Sequence, residues 1–364
     1  MTPTQRAAPR GRPPIDVGEL ALEEIHKLLL IDEAWTWRRP RGFTWIAHRL
    51  NQSTDASPVF ESRGIKISRI VSRVTVIENV GVSQSSAEKI VGEVNHLAVG
   101  SAYVYLSEDR RVDAIVAHHV HDETLKMRSK QIAAYQMLTL AFGELHSERL
   151  ADAFQGKVAT RQHPASGKRL QADDLLNVIA AFYRPAGALP SSFADSAAIE
   201  QVHQLVRNTH FFSAGGSAGG IAIELAFGND DTTLIELQTE ASHPHLGNGL
   251  GVFLKLRLNA DESQVARFAN ELNLLQLAAG AVVPAVGAWC LYTLDGRPSL
   301  GHAFFVPNAH VQGRIAADVH ALVLDGAMAA IEQALWVDSV LHPNLPPRSS
   351  LPIVEKRLGL NLRG

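Results

Sequence analysis

Apolar residues recur at helical spacing near the start of the chain, at Leu20, Ile25, Leu28 and Leu29, and predict an amphipathic helix over about 17–31. Farther on the period shortens to two. Val74 and Val76 alternate with polar neighbours, as do Leu254, Leu256 and Leu258, the pattern of strands buried on one face. The first part of the chain thus predicts strands at 44–50, 57–61 and 69–78. A helix follows, opened by Ser85-x-x-Glu88 as a capping box. Strands at 102–106 and 112–119 flank the turn Ser107–Arg110, and a long helix covers 126–153. The later part predicts the same series: a helix at 195–208, strands at 220–227, 232–240 and 251–258, and a helix at 261–277. Two strands about Asp295-Gly296-Arg297-Pro298 and a helix at 312–341 complete it.

The likeness extends to residues. Ile25–Leu29 resembles Val202–Val206, Val74–Ile77 resembles Val252–Lys255, and Glu93-Val94-Asn95 resembles Glu271-Leu272-Asn273, all 177 or 178 positions apart. Gly100–Tyr105 then resembles Gly287–Tyr292 at an offset of 187. Unrelated segments do not keep one order and one spacing over such a length, so the pattern reads as an internal duplication. The change of offset implies an insertion of nine residues between Leu275 and Gly287. That insertion falls inside Leu274–Leu294, a run without charge that is long enough to suggest a membrane span. The duplication excludes a spanning helix here, because the equivalent stretch at 96–101 is a helix end turning into a strand.

Composition narrows the classes. Lys+Arg (34) and Asp+Glu (37) nearly cancel over 364 residues, which excludes a basic field for nucleic acid. One cysteine, Cys290, cannot form an internal disulfide, and no CxxC motif or GxSxG elbow occurs. Arg6, Arg10 and Arg12 give a basic start without a following apolar core, so 1–16 reads as a disordered tail rather than a leader. The organisation expected is this tail, a first unit at 17–154, a linker with an extra helix at 155–194, a second unit at 195–342 and a tail at 343–364.

The series α-β-β-β-α-β-β-α, an Asn in the middle helix (Asn95, Asn273), a strand–acidic turn–strand hairpin and a long final helix resemble the type III secretion chaperone-like fold and the YbjN-type bacterial proteins. The resemblance implies an α+β fold of two duplicated units, each an antiparallel sheet packed with helices. It further implies a non-enzymatic, cytoplasmic, protein-binding role with no cofactor and no catalytic residues. The partner would be a protein or peptide, with no nucleic acid and no membrane, and the chain a monomer holding an internal pseudo-dimer.

Candidate chemistry is sparse. Trp35, Trp37 and Trp45, with Arg38, Arg39 and Arg41 between them, interleave aromatic and cationic groups as partner-binding surfaces do. The same spacing fits a hairpin whose tryptophans enter the core while Arg38–Arg41 form a solvated turn. Among the 16 histidines, His119 and His121 are expected on one face of a strand with His118 on the other. Two imidazoles fall short of a zinc ligand set, so no metal is expected. His243-Pro244-His245 precedes a glycine-rich stretch at 247–251, but a strand rather than a helix follows, which argues against a nucleotide cradle. Gly215–Gly220 reads as a flexible loop. An alternative role is an enzyme or small-ligand binder with a site between the units, built from histidines and the 243–251 loop.

Overall fold

The computed structural model describes residues 16–344 except 63, 181–188, 195–196, 208–211, 218, 229–230, 278–285 and 312. The expected N-terminal tail up to 15, the inserted loop at 278–285 and the C-terminal tail from 345 lie outside the described residues.

The first helix, α1 (Val17–Leu29), starts at Asp16, whose carboxylate accepts from the N–H groups of Gly18 and Glu19 at 2.9 and 3.1 Å. It buries Val17, Ala21, Leu22, Ile25 and Leu29 as a stripe. Strands β1 (Thr36–Arg39), β2 (Gly42–Ile46), β3 (Asn51–Ala56), a short β4 (Phe60–Ser62) and the long β5 (Ile65–Glu78) follow. Next come α2 (Gln84–Val94), β6 (Ala102–Leu106), β7 (Arg111–Val120) and α3 (Leu125–Phe154), then β8 (Lys157–Val158) and α4 (Asp174–Ala180). The second half holds α5 (Ala198–Arg207), β9 (Phe212–Ser217), β10 (Gly220–Phe227), β11 (Asp231–His243) and β12 (Gly247–Leu256). It ends with α6 (Glu262–Leu277), β13 (Ala288–Leu294), β14 (Arg297–Pro307) and α7 (Val319–Leu341).

The fold is α+β with two antiparallel sheets. One runs β1-β2-β3-β5-β7-β6, with β4 and β8 attached to β5; the other, read from its β9 edge, runs β9-β10-β11-β12-β14-β13. Strand for strand, the two orders coincide in chain sequence. Five strands precede the middle helix in the first half and four in the second, where three were expected in each. Strand β3 at 51–56 takes the central place expected of 57–61, of which only 60–61 fall in a strand, the short β4. Strands β1 and β9 come from the Trp–Arg stretch and from the glycine-rich 212–217, where the expected flexible loop is instead paired with β10. Backbone hydrogen bonds to one neighbour suffice for an edge strand, and neither stretch carries a period-two apolar signal.

Two other expectations change. Helix α2 is capped by Ser83, whose Oγ accepts from the N–H of Ser86 at 3.2 Å; Ser85 lies inside the first turn and Glu88 accepts from Gln84 at 2.8 Å. The final helix begins at Val319, where Asp318 caps it, rather than at 312. Residues 155–173, expected as linker, are strapped along the first sheet. Ala159 donates to Val76 at 2.9 Å, Arg161 to Arg49 at 3.0 Å and Asp173 to Ala47 at 2.8 Å through backbone N–H groups. The uncharged run Leu274–Leu294 divides between the end of α6 and β13, and among the described residues no helix is long and apolar enough to cross a membrane.

Helices α1 and α3 cover one face of the first sheet, and α7, joined by α5, covers the second. The halves meet through α2 and α6, which pack on each other and on the opposite edge strands, α2 on β13 and α6 on β6. Ala98, Ala102, Val104, Ile115 and Ala288 form a small core there, with Leu274 and Leu277 against it. Two equivalent asparagines sit beside it. Asn95 donates to the carbonyl of Tyr103 and accepts from its N–H, both at 2.8 Å; Asn273 does the same for Trp289, both at 2.9 Å.

Candidate functional site

Trp35 closes a 3-10 turn at 33–35 and Trp37 lies on β1; both are half-buried. Their rings flank His163 of the strap, with centroids 6.1 and 5.4 Å away, and the Arg169 guanidinium stands 5.2 Å over Trp35. Trp45, on β2, is the tryptophan of this cluster that enters the core, 1% exposed. The arginines are engaged rather than free in a turn. Arg38 donates to Glu33 and Arg39 pairs with Asp55, each at 2.8 Å. Arg41 forks onto Asp16 at 2.6 and 3.1 Å and donates to the carbonyls of Ala56 and Ser57. Its hydrogen bond to Asp16 holds that carboxyl below the usual carboxylate range. Arg41 therefore ties the cap of α1 to the sheet.

Beside Trp35 opens a groove of about 840 Å³ between the end of α1 and the start of α4. Leu30, Leu170 and Val178 line it and are 64%, 81% and 55% exposed. Arg169 on its wall pairs with Asp173 at 3.1 Å and Asp32 at 3.5 Å, and Lys168, Gln171 and Asp174 also line the groove, so its surface is mixed. Trp37, Arg38, Arg39 and Arg41 do not line it.

A second, narrower crevice of about 330 Å³ lies between the halves. Its walls are α2 (Ile90, Val94), the segment after it (Leu97, Val99) and α3 (Phe142, Leu150). From the other half, the β11–β12 turn brings His245 to its rim, 5.3 Å from the ring of His146. Burial lowers His146 below the usual imidazole value, with His245 and Arg149 adding to the effect. His243 is drawn deeper, stacks near Phe305 at 4.9 Å and is pulled by burial down to about 4. Sequence reasoning had reached His243 and His245 but not Thr139, His146 and Arg149. Their spacing along α3 places them on one helical stripe with Phe142 and Ala153, a signal lost among the apolar positions of a long helix.

The other histidines are placed apart. His118 is buried and stacks flat on Tyr135, with centroids 5.6 Å apart, while His119 packs on Phe60. These two do face opposite ways. His121 lies beyond the end of β7, its N–H donating to Thr124, so it does not share a strand face with His119. Tyr135 also meets His310 at 4.6 Å, and next to them Arg128 forms a bidentate pair with Asp325 across the boundary. Among the described residues no group of three or more His, Cys, Asp and Glu is placed to hold a metal. Cys290 is buried, and its thiol is pushed up to about 12 by that burial.

Comparison with family models, with curated proteins and with solved structures gives no match for this chain.

Proposed function

We propose that the chain is a non-enzymatic binding protein made of two copies of one chaperone-like unit, fused as an internal pseudo-dimer and monomeric in dilute solution. The repeated strand order and the equivalent roles of Asn95 and Asn273 support duplication. Tandem fusion keeps each unit at an effective concentration of about millimolar toward the other, enough to replace self-association. Light scattering giving 39.5 kDa at low micromolar concentration is the expected result, and twice that mass counts against it.

The observation that carries the binding role is the groove beside Trp35. Three large apolar side chains, each more than half exposed, converge there at a rim whose arginine is already paired. Clustered exposure of this kind marks contact surfaces on soluble proteins. The occupant proposed is an extended protein segment whose apolar side chains meet Leu30, Leu170 and Val178. A photo-crosslinking residue at Leu170 should capture a discrete partner in cells, and Trp35→Ala should remove that product. The same capture pattern from a probe at Glu23, on α1 away from the groove, would overturn the reading.

A further inference from the structure

The crevice between the halves carries a separate reading, independent of the groove, with which it shares no lining residue. Its volume of about 330 Å³ is at the lower end for small-ligand pockets, roughly 300–1,000 Å³. Most of its lining is aliphatic or aromatic. Its polar lining residues are Thr139, His146 and Arg149 on one stripe of α3, His245 on the turn facing it, and Glu93 and Ser101.

Two of them each hold a buried polar atom without a hydrogen-bond partner. The hydroxyl of Thr139, in a residue 3% exposed, makes no hydrogen bond, and neither does the buried Nε2 of His146. A buried polar atom left in this state costs about 1–3 kcal/mol, so it is retained only where something else is gained. Arg149 is exposed at the mouth. His245 completes the arrangement from the other half.

A guanidinium, two imidazoles and a hydroxyl facing an apolar wall favour an anionic, planar acceptor with an apolar body. A carboxylate offers Arg149 two oxygens and gives His146 Nε2–H an acceptor. An ammonium group would meet the Arg149 guanidinium unfavourably, and Glu93 is the one acidic side chain in the lining. We propose that the crevice binds a small apolar carboxylic acid, its carboxylate at His146 and Arg149 and its body among Val94, Leu97, Val99, Phe142 and Leu150. His245, from the second half, completes a wall otherwise built from the first.

The test is titration calorimetry on the full chain with octanoate, 1-octanol and octylamine. Octanoate should bind at least tenfold more tightly than either of the others. Arg149→Ala, at an exposed position, should weaken octanoate at least tenfold and leave octanol within twofold. Leu97→Trp should fill the crevice and abolish octanoate binding while leaving the thermal melt unchanged. Equal affinity for octanol or octylamine overturns the assignment of the head group. Absence of octanoate binding at millimolar concentration, or binding unaffected by both variants, overturns the site. Neither result bears on crosslinking at Leu170, so this inference and the proposed function fail separately.

Discussion

Asn270 brackets the backbone of Tyr105 from the opposite half of the chain, accepting from its N–H at 2.9 Å and donating to its carbonyl at 3.1 Å. Asn95 does the same for Tyr103, two residues earlier on β6. The outward backbone groups of this edge strand are therefore met by side-chain amides where another strand would otherwise pair. In the second half Asn273 brackets Trp289, but the position equivalent to Asn270 is Gly92. There a methyl group would stand 3.3 Å from the backbone nitrogen of Leu291, so the second edge is met by close backbone packing instead.

Asn270→Ala removes both partners of Tyr105 at a buried boundary. A loss of about 1–3 kcal/mol is expected in urea unfolding, without a change in secondary structure. A loss below about 0.5 kcal/mol would show that water reaches this edge as readily as the amide does.

Arg128, whose side chain is 17% exposed, is paired with the buried Asp325, and Gln131 also donates to Asp325. Breaking the pair with Asp325→Ala should cost about 1–3 kcal/mol, because it leaves a largely buried guanidinium without its carboxylate. The double change Arg128→Met with Asp325→Leu should recover most of that loss. A double-mutant cycle in which the two single effects simply add would contradict the pairing.

Arg41 and Trp35 should separate in their effects. Arg41→Ala frees the cap of α1 and is expected to lower stability by about 1–3 kcal/mol while leaving crosslinking at Leu170 intact. Trp35→Ala should do the reverse, removing the crosslink with a smaller effect on unfolding.

Acid should destabilise the protein through its buried imidazoles. Burial draws His118, His302 and His310 from 6.5 down to about 3, so the folded chain holds them neutral while the unfolded chain protonates them. The unfolded state then binds more protons between these values. The stability they lend is complete above pH 6.5 and falls as pH drops toward 3. The slope is about 1.4 kcal/mol per pH unit for each histidine. Urea unfolding between pH 7 and 5 should show a shallower decline for His118→Asn than for the parent, and identical slopes would count against a neutral buried His118.

Much of the fold was legible in the chain. The stripe from Leu20 to Leu29, the alternation at Val74 and Val76, and the parallel placement of Asn95 and Asn273 reflect local periodicity, and periodicity is written residue by residue. The same logic divided the uncharged run at Leu274–Leu294 into helix and strand, since its earlier counterpart made that transition. Strands β1 and β9 were not legible as elements, because an edge strand needs only backbone pairing with one neighbour. Nor was the fate of the Trp–Arg cluster. Arg41 reaches Asp16 across 25 residues, and the strap brings His163 to Trp35 and Trp37, contacts that no spacing encodes. The crevice lies farthest from the sequence. It joins His146 on α3 to His245 in a turn of the other half, and packing of α2 against α6 decides that meeting. Sequence fixes which faces are apolar, but the relative position of two units is set by the one arrangement that buries those faces and satisfies the edges between them.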